Sequence, residues 1–299
     1  MKNLIIYSLF YNKRLVKRLA KKYQAVVGEI YFDHFKDGEI LVKTLTDVKG
    51  KDVIIVESTA KKAHERLFEL LLLIDSIKRS GAKSVKLYIP YFGYSRQERV
   101  SWINEPVSCE VVAKILDTAN VDEILTFDLH HPDIEHFFKT KFKSLPTTPL
   151  FAEYYRSYIK AHDLKVGDVV VVSPDHGSNT RADALVSELS GTKKVILNKY
   201  RPAPNYAEHL AVDNQEINNK TCIIIDDIID TGGTIISATK LLLQNGAKEV
   251  IVGASHAVLS DKNVNRLLEA GIKDLVFTNT IEKRLPKAVK ILDIVKLIN

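Results

Sequence analysis

Two stretches of this chain repeat one another. The run DVIIVESTA (52–60), a helical LFELLLLIDSIKRS and GAKSVKLYIP (81–90) are echoed by TCIIIDDIID (221–230), a helical ISATKLLLQN and GAKEVIVGAS (246–255). A second echo pairs VDEILTFDLH (121–130) with IKDLVFTNTI (272–281). Each copy holds an apolar run of strand length, a helical pattern and another apolar run. That is the layout of a βαβ unit, and its duplication predicts an α/β chain of two similarly built domains, each with a mainly parallel sheet flanked by helices. The runs VIIVE (53–57), VKLYIP (85–90), VVVVSP (169–174), CIIID (222–226) and VIVGAS (250–255) lack polar alternation, as strands buried on both faces do. Pro146 and Pro149 interrupt the pattern between the halves. The expected domains are therefore 1–147, with 286–299 returning to complete it, and 148–285.

The copies diverge where chemistry would sit. The second reads CIIIDDIIDTGGT over Cys222–Thr234, a strand ending in two acids and followed by a glycine loop and the helical IISATKLLL; the first has ESTAKKAHE in place of the acidic and glycine pairs. Gly232 and Gly233 let backbone N–H groups turn inward with no Cβ in the way, and the following helix adds the positive end of its dipole. Asp230, Thr231, Gly232, Gly233 and Thr234 are thus expected to wrap a phosphate. Asp226 and Asp227 would repel that anion, and suit neutral hydroxyls or a divalent cation instead. A phosphorylated sugar supplies both partners, and only the second half is expected to hold it.

Composition narrows the class. The 299 residues are 45% hydrophobic and 27% charged, ample for packed cores, and the greasiest stretch, near Leu70 to Ile74, is too short to span a bilayer. With no secretory leader pattern at the amino end, a cytoplasmic location and no membrane partner are expected. The net charge of +6 favours anionic ligands but forms no dense basic stripe, so nucleic acid is not an expected partner. The basic residues of NKRLVKRLAKKY fall opposite Leu15, Val16 and Leu19 and read as a solvated helix face. Cys109 and Cys222, the only cysteines, are expected as small core residues on a helix and a strand.

Five further segments carry candidate groups. Phe35-Lys36-Asp37-Gly38-Glu39 reads as a hairpin turn with an aromatic and two acids. Tyr91 to Arg99, YFGYSRQER, offers rings to stack on a purine and the Arg96–Gln97 pair to grip phosphate or ring edges. Asp128-Leu129-His130-His131 closes a predicted strand, where an imidazole could join a metal's coordination shell. Ser173-Pro174-Asp175 puts an acid at the carboxyl end of another strand, ahead of a small-residue turn that runs to Arg181. Lys199-Tyr200-Arg201 sets two cations on one side of an extended segment.

In this order the segments resemble the ribose-phosphate diphosphokinase family, the phosphoribosyl diphosphate (PRPP) synthetases, over nearly the whole chain. The resemblance implies two pseudo-repeated phosphoribosyltransferase-like domains, the first on the ATP side and the second on the ribose 5-phosphate side. It implies transfer of the diphosphoryl group of ATP to C1 of ribose 5-phosphate, giving PRPP and AMP for nucleotide biosynthesis. By the same resemblance Lys199 and Arg201 are catalytic, and Phe35, Asp37, Gly38, Glu39, Arg96 and Gln97 hold ATP. His130 and Asp175 bind Mg2+. Arg201, Asp226, Asp227 and Asp230 to Thr234 take ribose 5-phosphate, and the oligomer is a hexamer built from dimers.

The chain departs from the family pattern in three places. VSWINEPVS after Arg99 replaces basic residues on a loop over ATP, Ser8-Leu9-Phe10-Tyr11 stands where small polar residues are usual, and the serine- and phenylalanine-bearing tail is lacking after Asn299. Altered turnover and altered control by phosphate and ADP are the expectations. A noncatalytic regulatory homologue and a simple phosphoribosyltransferase are the competing readings; the second would not need ATP.

Overall fold

The computed structural model describes residues 3–298 except 11, 176, 201–208, 212 and 213, and its account of 198–200, 209–211 and 214 is confined to the backbone. The chain divides into two compact units: Met1–Leu145 with Thr280–Glu282 and Val295–Asn299, and Pro146–Asn279 with Lys283–Ile294.

In the first unit β1 (Leu4–Tyr7), α1 (Lys13–Tyr23) and β2 (Val26–Val27) lead to a hairpin of β3 (Ile30–His34) and β4 (Ile40–Thr44). Then come β5 (Asp52–Val56), α2 (Ala63–Arg79), β6 (Ser84–Ile89), α3 (Ser108–Thr118), β7 (Glu123–Phe127) and β8 (Phe142–Leu145). The main sheet has the order β2-β1-β5-β6-β7-β8, parallel throughout. The basic amino-terminal run does form α1, with Leu15, Val16 and Leu19 buried and its lysines outside.

The second unit begins with α4 (Thr148–Ala161), β9 (Val169–Ser173), α5 (Asn179–Glu188) and β10 (Lys193–Ile196). A small antiparallel pair, β11 (Asn198–Tyr200) and β12 (His209–Ala211), and the short α6 (Asn214–Ile217) precede β13 (Thr221–Ile229) and α7 (Gly233–Gln244). The chain continues through β14 (Glu249–Ala257), α8 (Asp261–Glu269), β15 (Ile272–Thr278) and β16 (Val289–Leu292). Its sheet order, β10-β9-β13-β14-β15-β16, repeats that of the first unit position for position, again all parallel. The duplication read in the sequence is thus a duplication of topology. β16 closes the edge of the second sheet, and Val295–Asn299, like Thr280–Glu282, groups with the first unit.

β13 shows why the apolar runs lack alternation. Cys222 and Ile224 pack with Ala238 and Leu242 of α7 and Leu267 of α8, whereas Ile223 and Ile225 pack with Phe151 and Tyr155 of α4 and Leu185 of α5. Both faces are covered, and each fully buried isoleucine contributes about 2–3 kcal/mol relative to exposure. Gly253 on β14 allows the closest of these approaches, since a Cβ there would lie 2.4 Å from the Tyr155 hydroxyl.

Candidate active site

The strand that carries the acidic pair runs further than its sequence suggests. β13 continues through Asp226 and Asp227 to Ile229, so both acids lie inside the paired strand and not at its last residues; Asp226 sits opposite Ala254 of β14. Asp230 and Thr231 then turn into Gly232, whose φ of +78° lies in the left-handed region that glycine enters without strain. α7 starts at the next residue, and its first-turn N–H groups face the loop with no intrahelical acceptor. A phosphate-sized turn at a helix N-terminus is therefore present where the sequence predicts it.

The loop between β9 and α5 meets the acidic pair from the side. Ser178 Oγ donates to Asp226 Oδ1 at 2.7 Å, and an Arg181 guanidinium nitrogen lies 3.3 Å from Asp227 Oδ2. Asp175 Oδ1 accepts the Ser178 backbone N–H at 3.1 Å, and Ser173 Oγ donates to the Asp175 carbonyl at 2.6 Å. Burial, then the negative charge of Asp227, pushes the Asp226 carboxyl up to about 7, and the Ser178 hydrogen bond partly opposes this. The site thus pairs one carboxylate held by a guanidinium with a neighbour whose carboxyl is raised by burial and by that neighbouring charge. Ser178 and Arg181 have no assigned role in the sequence reading. Their three-residue spacing at a helix start, which puts both on one face, is the signal that could have found them.

The corresponding place in the first unit is shut. Glu57 follows β5 as Asp226 follows the equivalent run of β13, but it is fully buried and accepts from Ser8 Oγ, Leu9 N–H and Phe10 N–H at 3.0, 2.9 and 3.2 Å. Asn12, the residue before α1, accepts from Ser58 N–H at 2.7 Å and donates to the Thr280 carbonyl, which also takes the Ser58 hydroxyl. An internal carboxylate and a returning segment occupy the first copy. The atypical residues Ser8 to Phe10 are the ones that saturate it.

The first unit keeps the other candidate residues. Phe35 to Glu39 form the β3–β4 turn, closed by Phe35 N–H to Glu39 O at 2.8 Å and by Glu39 N–H to Asp37 Oδ1 at 3.1 Å, with Gly38 at φ +94° and Phe35 exposed. Arg96 and Gln97 are exposed after β6; Gln97 Oε1 accepts from Ser108 Oγ at 2.6 Å, so that amide is anchored to the start of α3. Gly93 ahead of them is required by contact, since a Cβ would lie 2.6 Å from the Thr59 carbonyl oxygen. Within Val100 to Glu105 the Glu105 carboxylate accepts from both Ser101 and Trp102 N–H at 3.0 Å, holding Trp102 and Ile103 79% and 92% exposed.

His130 is half-buried after β7, in the first unit, and Asp175 belongs to the second. No cluster of three or more His, Cys, Asp or Glu side chains suited to a metal occurs among the described residues. Lys199 lies in β11, its backbone opposite Leu210. Arg201 falls outside the described residues. Cys109 and Cys222 are free and buried in α3 and β13, as expected, with both thiols pushed up to about 12 by burial. No helix among the described residues is long and apolar enough to cross a membrane.

Sequence comparison decides the family. The profile of the N-terminal domain of ribose phosphate pyrophosphokinase matches residues 4–119, and that of the phosphoribosyl transferase domain matches 146–283. The chain belongs to the ribose-phosphate pyrophosphokinase family. It is 39% identical over 289 residues to a ribose-phosphate pyrophosphokinase of Bacillus cereus, across 95% of this chain and 89% of that one. To the Bacillus caldolyticus protein of the same name it is 40% identical over 292 residues, across 98% and 90%. The phosphoribosylpyrophosphate synthetase of Mycobacterium smegmatis superposes with a TM-score of 0.88 at 34% identity, covering 99% of this chain and 96% of that structure. The two like α/β domains are what the repeat in the sequence predicts, the family is the one its motifs resemble, and the enzyme is a transferase of the kinase type.

Proposed function

We propose that this chain transfers the β,γ-diphosphoryl group of ATP to the C1 hydroxyl of ribose 5-phosphate, forming PRPP and AMP. The observation that carries the proposal is the second unit's pairing of a phosphate-sized loop, Asp230 to Thr234, with carboxylates Asp226 and Asp227 on the strand that feeds it. The loop and the α7 N-terminus take the 5-phosphate. The two carboxylates, excluded from the anion by charge, accept the ribose hydroxyls. Arg181 holds the Asp227 carboxylate in place as an acceptor, and Ser178 orients Asp226.

On the ATP side, the exposed Phe35 and the ordered turn Asp37-Gly38-Glu39 meet the adenine, and Arg96 and Gln97 meet the phosphates. The anchored Gln97 oxygen leaves its amide N–H groups as the donors. Lys199 and Arg201 neutralise charge on the phosphates in flight, the main demand of phosphoryl transfer.

Magnesium suits such positions, because it takes one or two protein groups and completes its shell with water and phosphate oxygens. His130 of the first unit and Asp175 of the second are each proposed as a ligand at a separate position, and Asp175 has a hard carboxylate oxygen for the purpose. When bound, the ion would screen the triphosphate and draw charge from the breaking bond. A dimer-based homo-hexamer in the cytoplasm completes the proposal.

The test compares wild type with Lys199→Ala, measuring ribose 5-phosphate binding and PRPP formation on the same samples. Binding retained by both, with turnover only in wild type, supports the reading. Binding without turnover in wild type would favour a noncatalytic homologue. PRPP consumption with a nucleobase and no need of ATP would mark a phosphoribosyltransferase.

A further inference from the structure

The phosphate loop is braced from behind by α8 and the turn before it. Leu259 N–H donates to the Ile229 carbonyl at 3.0 Å, Asn263 Nδ2 donates to the Asp230 carbonyl at 3.2 Å, and the Leu267 side chain packs against Gly232, where a Cβ would lie 3.1 Å from it. Three of the four residues from Ile229 to Gly232 are thus held by one neighbouring element. The Asn263 Oδ1 accepts from an Arg266 guanidinium nitrogen at 3.4 Å, an arrangement that favours its NH2 facing Asp230. The helix carrying it is fixed at its start by Ser260, whose hydroxyl accepts from Asn263 N–H, and by Lys283, which binds the Leu259 carbonyl and lies 3.3 Å from Asp261.

Resting on the ribose 5-phosphate reading of this loop, we infer that Asn263 is a positioning residue that locks the Asp230–Thr231 peptide with its carbonyl outward and its N–H toward the sugar phosphate. The Asp230–Thr231 peptide lies in a turn outside the strand ladder and the helix, and its rotation would aim a carbonyl oxygen at the anion. Asn263 opposes that rotation with a partly buried hydrogen bond from outside the loop. No catalytic contact is assigned to it. Its effect falls on affinity for the phosphorylated sugar, with nucleotide affinity untouched.

The experiment uses the full chain with Asn263→Ala, Asn263→Asp and Arg266→Met, and measures dissociation constants for ribose 5-phosphate and for unphosphorylated ribose alongside KM for ATP. Asn263→Ala removes one neutral hydrogen bond, which corresponds to about fivefold weaker ribose 5-phosphate binding. Asn263→Asp faces the Asp230 carbonyl with a like partial charge and weakens it further, by more than tenfold. Arg266→Met alters only an exposed side chain, so it keeps the fold and frees the amide to flip, with a smaller loss in the same direction. ATP KM stays at the wild-type value in all three. Wild-type ribose 5-phosphate affinity in Asn263→Asp and Arg266→Met, or a parallel rise in ATP KM, would overturn the inference while leaving the proposed function intact. A wild-type chain that binds neither ribose 5-phosphate nor inorganic phosphate would overturn both, and the binding data alone separate these cases.

Discussion

Arg181 and Asp227 face each other at 3.3 Å across the gap between α5 and β13, with side chains 16% and 4% exposed. A carboxylate that deep depends on its counter-charge, and removing one partner of a buried pair costs on the order of 3 kcal/mol. Arg181→Met is expected to lower the melting temperature by several degrees and to raise KM for ribose 5-phosphate. Arg181→Lys should recover part of both. Calorimetry with steady-state kinetics checks this, and unchanged values for Arg181→Met would show that the pair positions nothing.

Asp226 gives stability a pH dependence of known sign. Its carboxyl titrates near 7 in the fold against 3.8 in the free residue, because of burial and the charge of Asp227. Between those values the folded chain binds more protons than the unfolded one, so this group's contribution to stability falls as pH rises from about 4 to about 7. Asp226→Asn removes the contribution. Melting curves at about pH 5 and about pH 8 should show a gain for the variant over wild type at the higher value only; an equal gain at both would contradict the assignment.

How much of this was legible beforehand follows from the range of each interaction. The repeat, the helices and the loop at Gly232 follow from local pattern, and the sheet orders bear out the duplication. β13 outruns its apolar pattern: charge ordinarily stops a strand, whereas here the ladder with β14 and the partners Ser178 and Arg181 carry the acids inside it. Those partners lie more than forty residues away in sequence, so their helix-start spacing marks them as a pair without saying what they meet, and no local pattern announces the closure of the first copy by Thr280. Asn263 meets Asp230 across 33 residues and is invisible to local pattern too.

Gly232→Ala tests the loop itself. A Cβ at φ +78° is strained, and it would press on Leu267 at 3.1 Å. The strain alone is worth about 1–2 kcal/mol. Ribose 5-phosphate KM should rise by about five- to thirtyfold, in line with that cost, and ATP KM should not change. Equal KM values for variant and wild type would remove the loop from the substrate site.

Gly93→Ala makes the reciprocal prediction for the nucleotide side. Its Cβ would fall 2.6 Å from the Thr59 carbonyl oxygen, a contact that only a backbone shift beside Arg96 and Gln97 can relieve. Isothermal titration should show weakened ATP binding and wild-type ribose 5-phosphate binding. The opposite pattern would exchange the roles proposed for the two units.

Phosphorus NMR of ATP, ribose 5-phosphate and magnesium mixed with the wild-type chain distinguishes diphosphoryl transfer from every competing reaction. Equimolar AMP and PRPP should appear with no ADP or inorganic phosphate, and Lys199→Ala should abolish both signals. ADP formation, or ATP left intact beside bound ribose 5-phosphate, would contradict the proposed reaction.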